Sequence, residues 1–73
     1  MSEQTAGGAG RARELLGEAT LLRLRGRPEE AVARCQEAIQ LNGEDWEAYE
    51  LLGDLELELD NPEAALRAYR RGK

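Results

Sequence analysis

Few side chains in this sequence suit covalent or acid–base chemistry. Histidine is absent, so the commonest general base and metal ligand is missing. The single cysteine, Cys35, has no imidazole to activate it and falls on an apolar stripe of helical spacing. That setting suits a buried structural thiol better than a nucleophile. Carboxylates are plentiful, but inward-facing di-metal sites in helical bundles need Glu-x-x-His pairs, which this chain cannot supply. A hard-cation site built from Asp45, Glu47 and Glu50 lacks the loop of a calcium site. Gly7-Gly8-Ala9-Gly10 follows no strand, precedes no Gly-Lys-Ser/Thr, and lacks the spacing of a dinucleotide fingerprint, so it is not a phosphate loop. The chain reads as a non-enzyme with no cofactor and no metal. What remains is binding.

Size and charge narrow the class of partner. The 73 residues make one small domain at most, and a chain this short buries only about 60% of its unfolded surface. With 34% charged residues and a net charge of −5, the balance argues against a general nucleic-acid binder, which needs a basic field over the phosphates. No apolar run is long enough to span a membrane. Met1-Ser2-Glu3-Gln4-Thr5 has neither the basic nor the apolar region of a secretory signal. One cysteine excludes an internal disulfide, so folding needs no oxidising compartment and the expected location is cytoplasmic. The charge is segregated. Residues 1–27 hold five arginines against three glutamates, residues 28–66 hold one arginine against twelve acids, and Arg67, Arg70, Arg71 and Lys73 follow. Two readings stand: solvated helix faces, or an acidic middle that attracts a basic partner or the basic end of another copy.

The elements that position these residues are set by one turn and its echo. Gly26-Arg27-Pro28-Glu29-Glu30-Ala31-Val32 returns 34 residues later as Asp60-Asn61-Pro62-Glu63-Ala64-Ala65-Leu66. Each copy is a helix stop, a short polar link and a helix start. Proline suits a first helical position because its φ is already helical and its missing N–H would go unpaired there. Residues 1–10, rich in glycine, are expected to be a flexible lead-in. A first helix is expected over about 11–25, with Leu15, Ala19 and Leu22 on one stripe, Leu16 beside it, and Gly17 allowing a close neighbour. Gly26 ends it in the left-handed conformation. The second helix spans about 28–41 with Ala31, Val32, Cys35, Ala38 and Ile39 inward, and Gly43 follows its end. Asp45 caps the third helix, whose buried side is Trp46, Tyr49, Leu52, Gly53 and Leu55. Leu55-Glu56-Leu57-Glu58-Leu59 alternates like a strand, but it is short and flanked by helical spacing, so it is kept helical with Leu57 off the stripe. The fourth helix opens with Asn61 as cap and Pro62 first, carries Ala65, Leu66, Ala68 and Tyr69, and ends at Arg71-Gly72. Four helices in two hairpins with short links make antiparallel neighbours, an all-α fold.

At this point the chain resembles the tetratricopeptide repeat family, whose unit of 34 residues reads Trp-x2-Leu-Gly-x2-Tyr, then Ala, an aromatic, Ala and Pro. In the second copy Tyr49 stands at the Trp place, Leu52-Gly53 are the Leu-Gly pair, Ala65 is the packing alanine and Tyr69 the aromatic. In the first copy Leu15, Ala19, Leu22, Ala31, Cys35 and Ala38 take the signature places, with Cys35 for the aromatic and Gly43 for the closing Pro. Two departures matter. Glu56 replaces the family's Tyr, and Glu14-Leu15-Leu16-Gly17-Glu18 pairs with Glu50-Leu51-Leu52-Gly53-Asp54 at 36 residues. That pairing asks one first helix to absorb two residues. The resemblance covers about residues 12–73, within a domain of residues 11–73, with repeat one at about 12–45 and repeat two at about 46–73. It implies two antiparallel hairpins stacked as a short right-handed α-solenoid.

The resemblance also implies a surface. In this family the first helices of successive units line a concave groove that holds an extended peptide or a partner helix. Carried over by position, that groove takes Arg13, Leu16, Thr20 and Arg23 from the first unit and Glu47, Glu50, Asp54 and Leu57 from the second. The family's best-known groove clamps a C-terminal carboxylate with Lys, Asn and Arg. Leu16 and Thr20 occupy two of those places, which argues against that role and for a protein or peptide partner with basic and apolar side chains. The alternative is self-association. Stacked repeats usually need about three units for stability, so Leu59, Leu66 and Tyr69 on the last hairpin are expected to be partly uncovered and to make a homo-oligomer.

Overall fold

The computed structural model of the chain describes residues 2–72, and for residues 2–7 and 9 the backbone alone. Four helices follow in order: α1 over Ser2–Leu24, α2 over Pro28–Leu41, α3 over Trp46–Glu58 and α4 over Pro62–Arg71. Helix α1 packs against α2, α2 against α3, and α3 against α4. The architecture is the expected pair of hairpins, with no strand among the described residues.

The two hairpin turns are built alike because each sequence solves the same problem of leaving one helix and entering the next. Gly26 has φ +77° and Asp60, its counterpart, φ +64°. Glycine meets no steric cost there, and aspartate is among the few side chains that tolerate the left-handed region. In both turns the chain folds back onto a carbonyl five residues earlier. Arg27 N–H donates to Leu22 O and Asn61 N–H to Glu56 O, each at 2.8 Å. This satisfies carbonyls that the helix end leaves open. Arg27 and Asn61 then share nearly the same backbone (φ −120°, ψ 64° and φ −117°, ψ 71°) and precede Pro28 and Pro62 at the helix starts. Asn61 takes the cap position without making a side-chain cap bond; its amide donates to Glu56 Oε1 at 3.2 Å instead.

The link between hairpins is pinned by side chains. Asp45 accepts from Glu47 N–H at 3.1 Å, capping α3 as its residue type requires. The Tyr49 hydroxyl donates to Gly43 O at 3.0 Å, tying α3 back to that turn. Helix α3 runs through Leu55-Glu56-Leu57-Glu58, so the alternating passage is helical, and Leu57 is exposed as its place off the stripe implies.

The core is made of small residues and leucines. Ala12, Leu15, Leu16, Ala19, Ala31, Cys35, Ala38, Ala48 and Leu55 form one buried cluster, with Leu22, Val32, Ile39, Leu51 and Leu52 half-buried around it. Alanines at the helix contacts let the backbones approach, and the fully buried Leu15 and Leu55 each contribute about 2 kcal/mol.

Four expectations are corrected. Helix α1 begins at Ser2, not near Arg11, so the lead-in is helical over its described part. Once a helix is nucleated by packing further along, each added residue brings a hydrogen bond without a new nucleation cost, and the glycines do not stop it. Gly17 makes no close approach: it is exposed, and nothing lies within 4 Å of a Cβ built on it. The glycine that does is Gly53, where the Tyr69 ring lies 2.4 Å from that point. The likeness at 36 residues is therefore not the structural one. Both turns repeat at 34, which pairs Gly53 with the buried Ala19, and no residues are absorbed in the first helix. Finally, Trp46 is 56% exposed, because the first residue of α3 precedes the turn at which the helix meets α2.

Candidate partner-binding groove

Helices α1 and α3 stand side by side across a cleft of about 340 Å³. Arg13, Leu16, Gly17 and Thr20 line it from α1, and Glu47, Glu50, Leu51 and Asp54 from α3. The spacing explains the match. Arg13, Leu16 and Thr20 step along one helix face by three and four residues, and Glu47, Glu50 and Asp54 repeat those steps 34 residues later. Of the eight residues assigned by position, these six are brought to one cleft. Arg23 and Leu57 are not on its lining, although Arg23 reaches its end through Asp54. Sequence reasoning missed Gly17 and Leu51. The signal for both was spacing: Gly17 stands four residues after Arg13, and Leu51 four residues after Glu47.

The electrostatics differ from a plain acidic trough. Arg13 Nη1 lies 2.9 Å from Glu47 Oε1 at one end. At the other, Arg23 lies 3.9 Å from Asp54 Oδ2 and also pairs with Glu58. The arginines of α1 thus lace the helices together over the ends of the cleft. All these side chains are substantially exposed, so each pair is worth about 0–1 kcal/mol. Glu50 lies between the two clamps and has no ion pair among the described residues. Below it Leu16 is buried and Leu51 half-buried, giving the cleft an apolar floor. The Thr20 hydroxyl donates to Leu16 O at 3.0 Å, so it keeps only acceptor capacity toward a ligand.

Tyr69, expected on a self-association face, supports the groove from behind. Its ring covers Gly53 and its hydroxyl donates to Asp54 Oδ1. The hydrogen bond to that carboxylate, with a smaller contribution from burial, pushes the phenol up to about 12. Of the other two residues on that face, Leu59 is half-buried and Leu66 is 51% exposed. A shallow hollow of about 200 Å³ lies nearby, bordered by Trp46, Glu50, Tyr69 and Gly72.

Cys35 is fully buried, and burial pushes its thiol up to about 12, which keeps it protonated. Among the described residues no group of three His, Cys, Asp or Glu side chains is placed to hold a metal ion. No described helix is long and apolar enough to cross a membrane.

A family model for the tetratricopeptide repeat matches residues 22–73, from the last turn of α1 through α2, α3 and α4. No curated protein and no solved structure gives a significant match.

Proposed function

The chain belongs to the tetratricopeptide repeat family, and on that premise we propose that it recruits a polypeptide segment through the α1–α3 cleft. Repeats of this family are in general non-catalytic protein-interaction modules. The segment that fits this cleft carries a lysine or arginine next to an apolar side chain. The observation that supports the reading is Glu50, a carboxylate without an ion pair among the described residues, held over the floor of Leu16 and Leu51. A cation there gains a charge partner while its apolar neighbour is buried below. The clamps from Arg13 and Arg23 can exchange for contacts with the ligand at little cost, since exposed pairs are weak. Binding should weaken as salt screens these charges.

The test is anisotropy of a labelled peptide with alternating lysine and leucine, titrated with the full chain. Glu50→Lys should reduce affinity about tenfold or more, the effect of a reversed charge at the centre of a contact. Adding Asp54→Lys should deepen the loss, with the fold checked by circular dichroism. Unchanged binding by both variants rules the cleft out.

A second reading, self-association, is supported by the exposure of Trp46, which borders the hollow beside Tyr69, and of Leu66 on α4. Light scattering at ~0.1–1 mM in low salt, where charge attraction is least screened, would give a mass that rises with concentration. A constant monomer mass rejects it.

A further inference from the structure

The molecule has a second cleft of opposite character on its other side, between α2 and α4. These helices belong to different hairpins, and each packs against α3. The space between them is about 500 Å³, larger than the α1–α3 cleft. One wall carries Gln36 and Gln40, a turn apart on α2; the other carries Arg67 and Arg71, a turn apart on α4; Ile39 and Leu52 lie between them. Neither Arg67 nor Arg71 has an ion pair with a described residue. In a chain of net charge −5, two exposed guanidiniums in step along one helix are a local reversal of sign. Their negative counterpart in the cleft is Glu56, one of whose carboxylate oxygens accepts from the Asn61 amide.

We propose that this cleft is a docking site for an acidic, apolar polypeptide segment, distinct in partner chemistry from the α1–α3 groove. The recognition follows from the walls. Arg67 and Arg71 present fork-shaped donors one helical turn apart, suited to two carboxylates or to one held from both sides. The Gln36 and Gln40 amides offer both donors and acceptors to a peptide backbone on the facing wall. Ile39 and Leu52 are half-buried, so an apolar side chain lying over them completes their removal from water. Glu56 opposes the ligand's charge and limits the affinity. The chain is thus a two-faced connector, taking a basic segment on one side and an acidic one on the other.

The experiment uses the full chain and two labelled peptides, one alternating glutamate and leucine and the other alternating lysine and leucine, each followed by anisotropy at two salt concentrations. The acidic peptide should bind. Arg67→Glu with Arg71→Glu should weaken it by about tenfold or more, as charge reversal at a complementary surface does. Glu56→Gln should tighten it, a gain that simple damage to the fold cannot produce. Arg25→Glu, a reversal at an exposed arginine that lines neither cleft, should leave acidic-peptide binding unchanged, so the loss is tied to Arg67 and Arg71 and not to net charge. Failure of the basic peptide alone sinks the groove reading and not this one. The inference is overturned if the acidic peptide does not bind. It is equally overturned if binding ignores the arginine reversals and Glu56→Gln, or if the reversals act only by abolishing a concentration-dependent rise in mass. That last result would make the occupant a second copy of the chain.

Discussion

Replacing Gly53 by alanine and Gly17 by alanine should shift stability in opposite directions, although both sit inside helices in a Leu-Leu-Gly-acid context. At Gly17 the new methyl meets nothing within 4 Å. The substitution there should stabilise by about 1 kcal/mol, the helix-propensity difference between the two residues. At Gly53 the same propensity gain is available, but the methyl falls 2.4–2.7 Å from three carbons of the Tyr69 ring. Overpacking of this kind costs about 1–3 kcal/mol. Displacing the ring also weakens the Tyr69–Asp54 hydrogen bond, about another 1 kcal/mol. The balance is a net loss of about 1–3 kcal/mol for Gly53→Ala, so the two variants should differ by about 2–4 kcal/mol. In a domain of this size each 1 kcal/mol moves Tm by about 4–8 °C. Urea titration and thermal melts followed by circular dichroism read both numbers. In a Tyr69→Ala background the penalty at Gly53 should vanish, which a double-mutant cycle measures. If Gly53→Ala is as stabilising as Gly17→Ala, the close contact with Tyr69 is wrong, and so is the 34-residue register.

Two further outcomes follow from the turns and the buried groups. Gly26→Ala should destabilise by about 1–2 kcal/mol, because its left-handed backbone crowds any Cβ, whereas Asp60→Gly should be neutral or stabilising; equal effects from the two would refute the shared turn geometry. Cys35 is raised from 9.0 to about 12 by burial, and Tyr69 from 10.0 to about 12, mainly by its bond to Asp54. Between those values the unfolded chain has lost protons that the native state keeps, so stability is full below about pH 9 and falls as pH rises toward about 12. Urea midpoints measured across that window should decline, with a smaller decline in Tyr69→Phe; native Cys35 should resist alkylation by iodoacetamide at pH 8 and react on unfolding.

What could be read in the sequence was what depends on near neighbours. The turns were legible because Pro28 and Pro62 each leave one conformational option, and Gly26 marks the left-handed stop. Asp45 announced its cap, and the Ala31, Cys35, Ala38 spacing announced a buried face. The six cleft residues were legible because a groove on a repeated helix inherits the repeat. What failed needed distance in space. Gly17 and Gly53 have almost the same neighbours in sequence, and only the Tyr69 ring, sixteen residues beyond Gly53, tells them apart. Trp46 falls on the expected buried side of the third helix, but a residue at a helix start is set by where the link arrives. The arginine clamps over the groove were invisible because charge totals carry no information about which side chains meet.

One of those clamps says something about order. Arg13 and Glu47 occupy the same rung of two successive units and meet there. Were the first hairpin duplicated in place of the second, that rung would set two guanidiniums against each other, and a duplicated second hairpin would confront two carboxylates. The hairpins are therefore not interchangeable bricks: their sequence along the chain is written into the seam between them, and a shuffled arrangement would carry the mistake as repulsion.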